Sequence, residues 1–309
     1  MAVIAVAGGT GGVGKTLIER LAQEPKFQVV LLSRNESLEP TAHAVSHVRI
    51  NYNDISAITH QLEHHNVHTV ISAIGLVSEE TSRSQLNLIE AADKSKVTER
   101  FIPSEYSFIQ TAALLPIDPS IQWWLDAADR LKSSSLAYTR VIPGFFMDYW
   151  GMPHVPTNLA PHTFGISIAS RTAAIPGDGN DVICMTYTYD LAAYMVKLLD
   201  LNKWPEFSVV VGDEVTYNQL LRMAEDITGK SLIHHHDQIN AGNVTVPPMP
   251  DGTEGSPEEL QEITALVSRL TVNGVFDLRR EENLNTLFPE VKPITMKEFL
   301  EKAWTGHEL

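Results

Sequence analysis

The chain opens with short apolar runs that alternate with stretches whose apolar residues recur every three or four positions. Ala2–Ala7 is an unbroken apolar run closed by glycines, the pattern of a strand buried on both faces. Val13–Ala22 follows, with Val13, Leu17, Ile18 and Leu21 on one helix face. The alternation continues with Gln28–Leu32 and His47–Ile50 as strands, Ile55–Leu62 as a helix and Thr69–Ile74 as a strand. A helix carrying Leu86 and Ile89 ends near Lys94, and Arg100–Ile102 reads as a short strand stopped by Pro103. Trp123–Leu131 then reads as a helix, and Leu136–Ile142 as a strand stopped by Pro143 and Gly144. Strands alternating with helices at this spacing predict a parallel sheet with helices on both faces.

Beyond residue 150 the pattern changes. Pro153, Pro156 and Pro161 interrupt the chain, and Pro247–Pro257 reads as a loop. Val182–Tyr187 and Phe207–Val211 are expected as strands. Asp190–Leu199, Val215–Ile227 (ended by Gly229), Glu258–Leu270 and Met296–Ala303 are expected as helices. The expected fold class is α/β: a doubly wound parallel sheet over residues 1–150, then a smaller α+β lobe over 151–309 that returns segments to the first domain.

Composition narrows the function. With 309 residues, 43% hydrophobic and 20% charged, the chain can bury a full core without disulfides or structural metal. Lys and Arg number 23 against 38 Asp and Glu, a net charge of −15. That balance repels phosphate backbones and anionic lipids, so neither nucleic acid nor a membrane surface is expected as a partner. A single cysteine, Cys184, excludes an intrachain disulfide and a multi-cysteine zinc site. Ala2–Ala7 is too short to span a bilayer and no basic segment precedes it, so a soluble, cytoplasmic protein is expected.

The chemistry begins at Gly8-Gly9-Thr10-Gly11-Gly12-Val13-Gly14, between the first strand and the first helix. This turn fits GxxGxxG and GxGxxG, and with Lys15 and Thr16 also GxxxxGK[ST], the triphosphate loop. All three bring backbone N–H groups at a helix N-terminus close to phosphate oxygens. Two features favour a dinucleotide. Thr69–Ile74 ends without the acid that would hold Mg²⁺ beside a triphosphate. Arg34 lies 20 residues after Gly14, at the end of the second strand, where an Arg suits the 2′-phosphate of NADP and an acid would suit NAD. Ser33 adds a hydroxyl. Arg34 also has a plainer reading, a solvated charge paired with Glu36.

An ordered set of motifs then resembles a known family. The glycine turn is followed by Arg100-Phe101-Ile102-Pro103-Ser104-Glu105-Tyr106, by Leu136-Ala137-Tyr138-Thr139-Arg140-Val141, and by Gly144-Phe145-Phe146-Met147-Asp148-Tyr149. Ile175–Asn180 and Thr186–Asp190 extend the set. This order resembles the NmrA-like and isoflavone-reductase-like proteins of fungal type, atypical short-chain dehydrogenases, over about residues 2–215. The resemblance implies a Rossmann domain over 1–150 that binds NADP(H), and a substrate-binding lobe over 151–309. Carried over by position, Thr10, Gly11, Gly12 and Val13 would touch the pyrophosphate, with Gly8 and Gly14 completing the turn. Arg34 would meet the 2′-phosphate, and Ala73 and Ile74 the adenosine. Pro103, Ser104 and Glu105 would sit near the nicotinamide, and Gly144 and Phe145 would pack on its end.

Catalysis departs from that family. Its reductases use a lysine in the helix before the Tyr-Thr strand, and the matching position here is Trp124. Lys132 lies eight residues on, about 12 Å along a helix, too far to substitute. Tyr194 and Lys197 are only three apart and do not form the Tyr-x-x-x-Lys pair. The catalytic residues are therefore unassigned, with Tyr106, His154 or water as proton donor. Tyr106, Trp124, Tyr149, Trp150 and His154 are expected around the substrate pocket, because ligands of such sheets bind beyond the strands' carboxyl ends. No metal is expected: His234-His235-His236 reads as a solvated strand end, and His60, His64 and His65 as a surface helix.

These observations point to an NADPH-dependent oxidoreductase of a small, largely apolar, secondary-metabolite-like molecule. It would reduce C=C, C=N or C=O, or carry out redox-neutral hydride chemistry. The alternative is a non-catalytic NADP(H) sensor that regulates a protein partner.

Overall fold

The structure is a computed structural model that describes residues 1–35, 45–237, 239, 244–278 and 283–307. It divides into two compact units. The first comprises Met1–Tyr106, Gln110–Ile142 and Ala192–Val209; the second comprises Ser107–Ile109, Pro143–Leu191 and Val210–Leu309. The chain therefore passes between units several times, once within the helix Thr188–Asp200.

The first unit is built on six parallel strands: β1 (Ala2–Ala7), β2 (Phe27–Ser33), β3 (Val45–Arg49), β4 (Thr69–Ser72), β5 (Arg100–Ile102) and β6 (Ala137–Tyr138). Their order is β3-β2-β1-β4-β5-β6, the doubly wound Rossmann order. The strands read as apolar runs because the sheet is covered on both faces; Ala5, Val30, Val70 and Phe101 are inaccessible to solvent. Helices α1 (Gly12–Leu21), α2 (Ile55–His64), α3 (Glu79–Lys94) and α4 (Gln122–Lys132) connect them. Leu17, Ile18 and Leu21 of α1 are buried as its periodicity predicts, whereas Val13 is only partly buried. The direction of strand progression reverses between β1 and β4, which opens a crevice at their carboxyl ends.

The strand expected over Leu136–Ile142 is split. Ala137–Tyr138 pairs with β5, while Arg140–Ile142 pairs with Phe207–Val209. Thr139 between them is fully buried, and its hydroxyl lies 2.7 Å from that of Ser208.

The second unit carries two three-stranded sheets. One joins Ile166–Ser167, Thr172–Pro176 and Ile233–Asp237; the other joins Phe145–Phe146, Ile183–Thr186 and Asp213–Val215. Helices Tyr217–Thr228, Pro257–Val272 and Met296–Trp304 lie within it. Tyr217–Thr228 ends at Gly229, which takes the left-handed conformation (φ 64°). His234, His235 and His236 sit exposed on strand Ile233–Asp237. Among the described residues there is no group of three or more His, Cys, Asp or Glu able to hold a metal. No described helix is long and apolar enough to cross a membrane.

Candidate cofactor site

Strand β1 delivers the chain to Gly8, whose positive φ of 77° turns it toward α1. A side chain at Gly8 would lie 2.4 Å from the Ala73 carbonyl oxygen, and one at Gly14 2.4 Å from that of Gly8. These two glycines let backbone close on backbone. Gly11 differs: its φ is extended, and a side chain there would meet nothing within 4 Å. Gly11 is the N-cap of α1, with no side-chain cap and no acid in the first turn. The helix thus presents its N–H groups and its partial positive charge to whatever occupies the space above Gly11.

That space is a cavity of about 590 Å³ at the carboxyl ends of β1, β2, β4 and β5. Gly8, Thr10, Gly11, Gly12 and Val13 line it from the turn, Ser33 and Arg34 from the end of β2, Ala73 and Ile74 from the end of β4, and Ser104 and Tyr106 from beyond β5. Val13 is only partly buried because it faces this cavity and not the core. Arg34 is the sole charged residue of the lining among the described residues. Its Nη1 lies 3.7 Å from a carboxylate oxygen of Glu80, and both side chains are mostly exposed. Such a pair is worth ~1 kcal/mol or less and does not hold the guanidinium away from a phosphate. Glu36 lies outside the described residues. The Ser33 hydroxyl is 2.7 Å from His47 Nε2.

A second cavity, of about 450 Å³, shares Arg34, Tyr52 and Ser84 with the first and adds Arg49. Sequence reasoning missed Arg49 and Tyr52. The missing signal was sheet order: β3 lies beside β2 with Ser33 opposite Arg49, which puts the end of β3 next to Arg34. Thr81 and Ser84, at the start of α3, were missed as well.

These residues fit a dinucleotide phosphate better than a triphosphate. Thr16, which a triphosphate loop would use to hold Mg²⁺, is 1% exposed, with its hydroxyl 3.4 Å from the Gly12 carbonyl within α1. The open face above Gly11, the uncapped helix end and Arg34 match instead a pyrophosphate and a ribose 2′-phosphate.

A family model described as NAD(P)H-binding matches residues 8–168. Oxidoreductase BOA1 of Botryotinia fuckeliana is 39% identical over 231 residues, covering 74% of this chain and 77% of that protein. Oxidoreductase swnN of Metarhizium robertsii is 31% identical over 336 aligned positions, covering 99% and 98%. Leucoanthocyanidin reductase from Vitis vinifera, solved with NADPH, superposes with a TM-score of 0.74 at 18% identity, covering 98% and 99%; at that identity the likeness concerns the fold. The fold, the family model and the fungal relatives together define an NAD(P)H-binding oxidoreductase. The chain belongs to the NAD(P)H-binding family of NmrA-like and isoflavone-reductase-like proteins.

Several residues expected at the site are not part of the first cavity's lining. Gly14 packs on Gly8 and does not line the cavity. Pro103 is buried beside it. Glu105 is 2% exposed and bonded through both carboxylate oxygens to Arg140, which leaves it no face for a cofactor. Gly144 and Phe145 belong to the second unit. There, a side chain on Gly144 would strike the Cys184 carbonyl, and Phe145 packs against Trp150, Phe164 and Phe276.

The residues expected around the substrate pocket are divided between the two units. Tyr106 lines the cofactor cavity, and its hydroxyl donates to the Ser72 carbonyl at 3.0 Å. Burial pushes that phenol well above the usual tyrosine range. The Trp124 indole Nε1 donates to the Ser104 carbonyl at 2.9 Å, and its ring packs with Trp123 on the first unit's core. His154 stacks on His307 with ring centres 3.7 Å apart. Burial and the neighbouring His307 push its pKa down. Tyr149 and Trp150 do line a separate cavity, within the second unit.

Proposed function

We propose that this oxidoreductase uses NADPH to reduce a C=C, C=N or C=O bond of a small, largely apolar molecule of secondary-metabolite type, or to lend and recover a hydride in a redox-neutral reaction. The first unit would bind the cofactor and the second the substrate. Thr10, Gly11, Gly12 and Val13 would hold the pyrophosphate, Arg34 the 2′-phosphate, and Ala73 and Ile74 the adenosine. Ser104 and Tyr106 would border the nicotinamide. The cofactor supplies the hydride chemistry when bound. The chain's own residues bind, orient and exclude water. Tyr106 is held by the Ser72 carbonyl and His154 is biased toward its neutral form, so water is the proton source this reading favours.

The observation that carries the proposal is Arg34 as the one charged residue, among those described, lining a cavity that the uncapped N-terminus of α1 opens into. The test is a titration with NADPH and NADP⁺, followed by a screen of enones, imines and ketones for loss of NADPH absorbance. Turnover of any of these supports the proposal. Equal binding of both cofactor forms, no turnover and tight capture of a protein partner would overturn the proposal in favour of a sensor.

A further inference from the structure

The second unit holds a cavity of about 640 Å³ within the size range of small-molecule sites. Tyr149 and Trp150 form part of it, with Ile166 and Ile168 on one side and the segment Pro248–Asp251 on another. That segment is tied down. Thr163 Oγ1 donates to the Pro248 carbonyl at 3.0 Å. Thr253 Oγ1 donates to the Pro250 carbonyl at 2.8 Å and to the Pro161 carbonyl at 3.2 Å.

The lining is mainly apolar. Pro153, Pro161, Pro248 and Pro250 have no N–H to offer. Three side-chain donors are committed: Thr157 Oγ1 donates to Asp148 at 2.7 Å, Thr163 Oγ1 to Pro248, and Trp304 Nε1 to the Trp150 carbonyl at 2.7 Å; the hydroxyls of Tyr149, Ser167 and Ser170 also belong to the lining. Trp150 Nε1 is sealed from solvent. The lining also carries one charged residue among the described residues, the exposed Asp251, and no Lys, Arg or His. An anion placed here would lose its water without gaining a cation, whereas a protonated amine would find Asp251.

We infer that this cavity takes an apolar ring molecule, that Asp251 favours a protonated nitrogen on it, and that carboxylate-bearing molecules are disfavoured. Calling this ligand the substrate rests on the reductase reading above; the binding preference does not.

The test is calorimetric titration with three probes on one skeleton: naphthylmethylamine, naphthylmethanol and naphthoate. The amine should bind best, the alcohol about two- to fivefold more weakly, as for an exposed ion pair, and naphthoate at least about tenfold more weakly than the alcohol. Asp251→Asn should bring the amine down to the alcohol. Ala169→Phe, at an exposed position of the lining, should weaken all three probes and leave NADPH binding unchanged. Naphthoate binding as well as the amine would overturn the inference. So would an amine preference that survives Asp251→Asn, probe binding indifferent to Ala169→Phe, or no probe binding at all while NADPH still binds. If the probes rank as expected but no NADPH is ever consumed, the reductase reading fails and this one stands.

Discussion

Arg140 grips Glu105 inside the first unit, with Nε 2.5 Å from one carboxylate oxygen and Nη2 bonded to the other. The two side chains are 5% and 2% exposed, and the ring of Phe207 lies against the guanidinium. The pair fastens the chain just beyond β5 to the strand Arg140–Ile142, and so fixes the backbone from which Ser104 reaches the cofactor cavity. Burial pushes the Glu105 carboxyl up, against the pull of Arg140. Removing one partner strands a charge in a poorly solvated place. Glu105→Gln should cost on the order of 3–5 kcal/mol in urea unfolding, and the double variant Glu105→Leu/Arg140→Met should recover most of that loss. A single variant within about 1 kcal/mol of wild type would mean that water reaches the pair.

Arg34 should set cofactor choice. Charge-assisted hydrogen bonds to a phosphate are worth ~1.5–3 kcal/mol, so Arg34→Asp should weaken NADPH binding by about 10- to 100-fold or more. NADH binding should change little, which fluorescence titration of both nucleotides can read. An unchanged preference for NADPH would remove Arg34 from the 2′-phosphate site and shift attention to Arg49 across the adjoining cavity.

The glycine turn should separate stability from binding. A methyl on Gly8 meets the Ala73 carbonyl at 2.4 Å on a backbone with positive φ, so Gly8→Ala should lower the melting temperature and abolish binding together. A methyl on Gly11 meets nothing in the protein. Gly11→Ala should melt with the wild type yet bind NADPH about tenfold more weakly, because the methyl would occupy the pyrophosphate's approach to α1. Loss of stability with unchanged binding in Gly11→Ala would reverse that assignment.

The doubly wound sheet was legible because its central strands β1, β2 and β4 are largely apolar runs set among helices of clear periodicity, and the glycine turn marked the cradle for the same local reasons. What was not legible depended on contacts between segments far apart in sequence. Arg49 and Tyr52 reach the cradle only because β3 lies beside β2. Glu105 reads as a polar site residue until Arg140, 35 positions on, is seen to claim it. Strand Thr172–Pro176 is a short run ending in proline, with little to distinguish it from loop until Ile233–Asp237 pairs with it. The split of Leu136–Ile142 likewise follows from a partner, Phe207–Val209, that no local pattern announces.

Asp190 gives the second unit a pH dependence. Its Oδ2 accepts the Ile294 N–H at 2.8 Å and so pins the segment that enters helix Met296–Trp304. Burial lifts its carboxyl to about 6; the Ile294 N–H and Lys302 oppose the rise, and Asp148 adds to it. A carboxyl whose pKa is raised on folding holds its proton more tightly in the native than in the unfolded chain. Its contribution to stability is therefore complete below the unfolded value near 4 and is lost as the pH rises through about 6. The loss should be on the order of 2–3 kcal/mol. Asp190→Asn keeps an oxygen for Ile294 and never ionises. Relative to wild type, this variant should gain that amount in urea unfolding between about pH 4 and about pH 8, ending as stable as wild type or more so. A difference between the two proteins that does not change with pH would show that Asp190 titrates as an ordinary carboxylate.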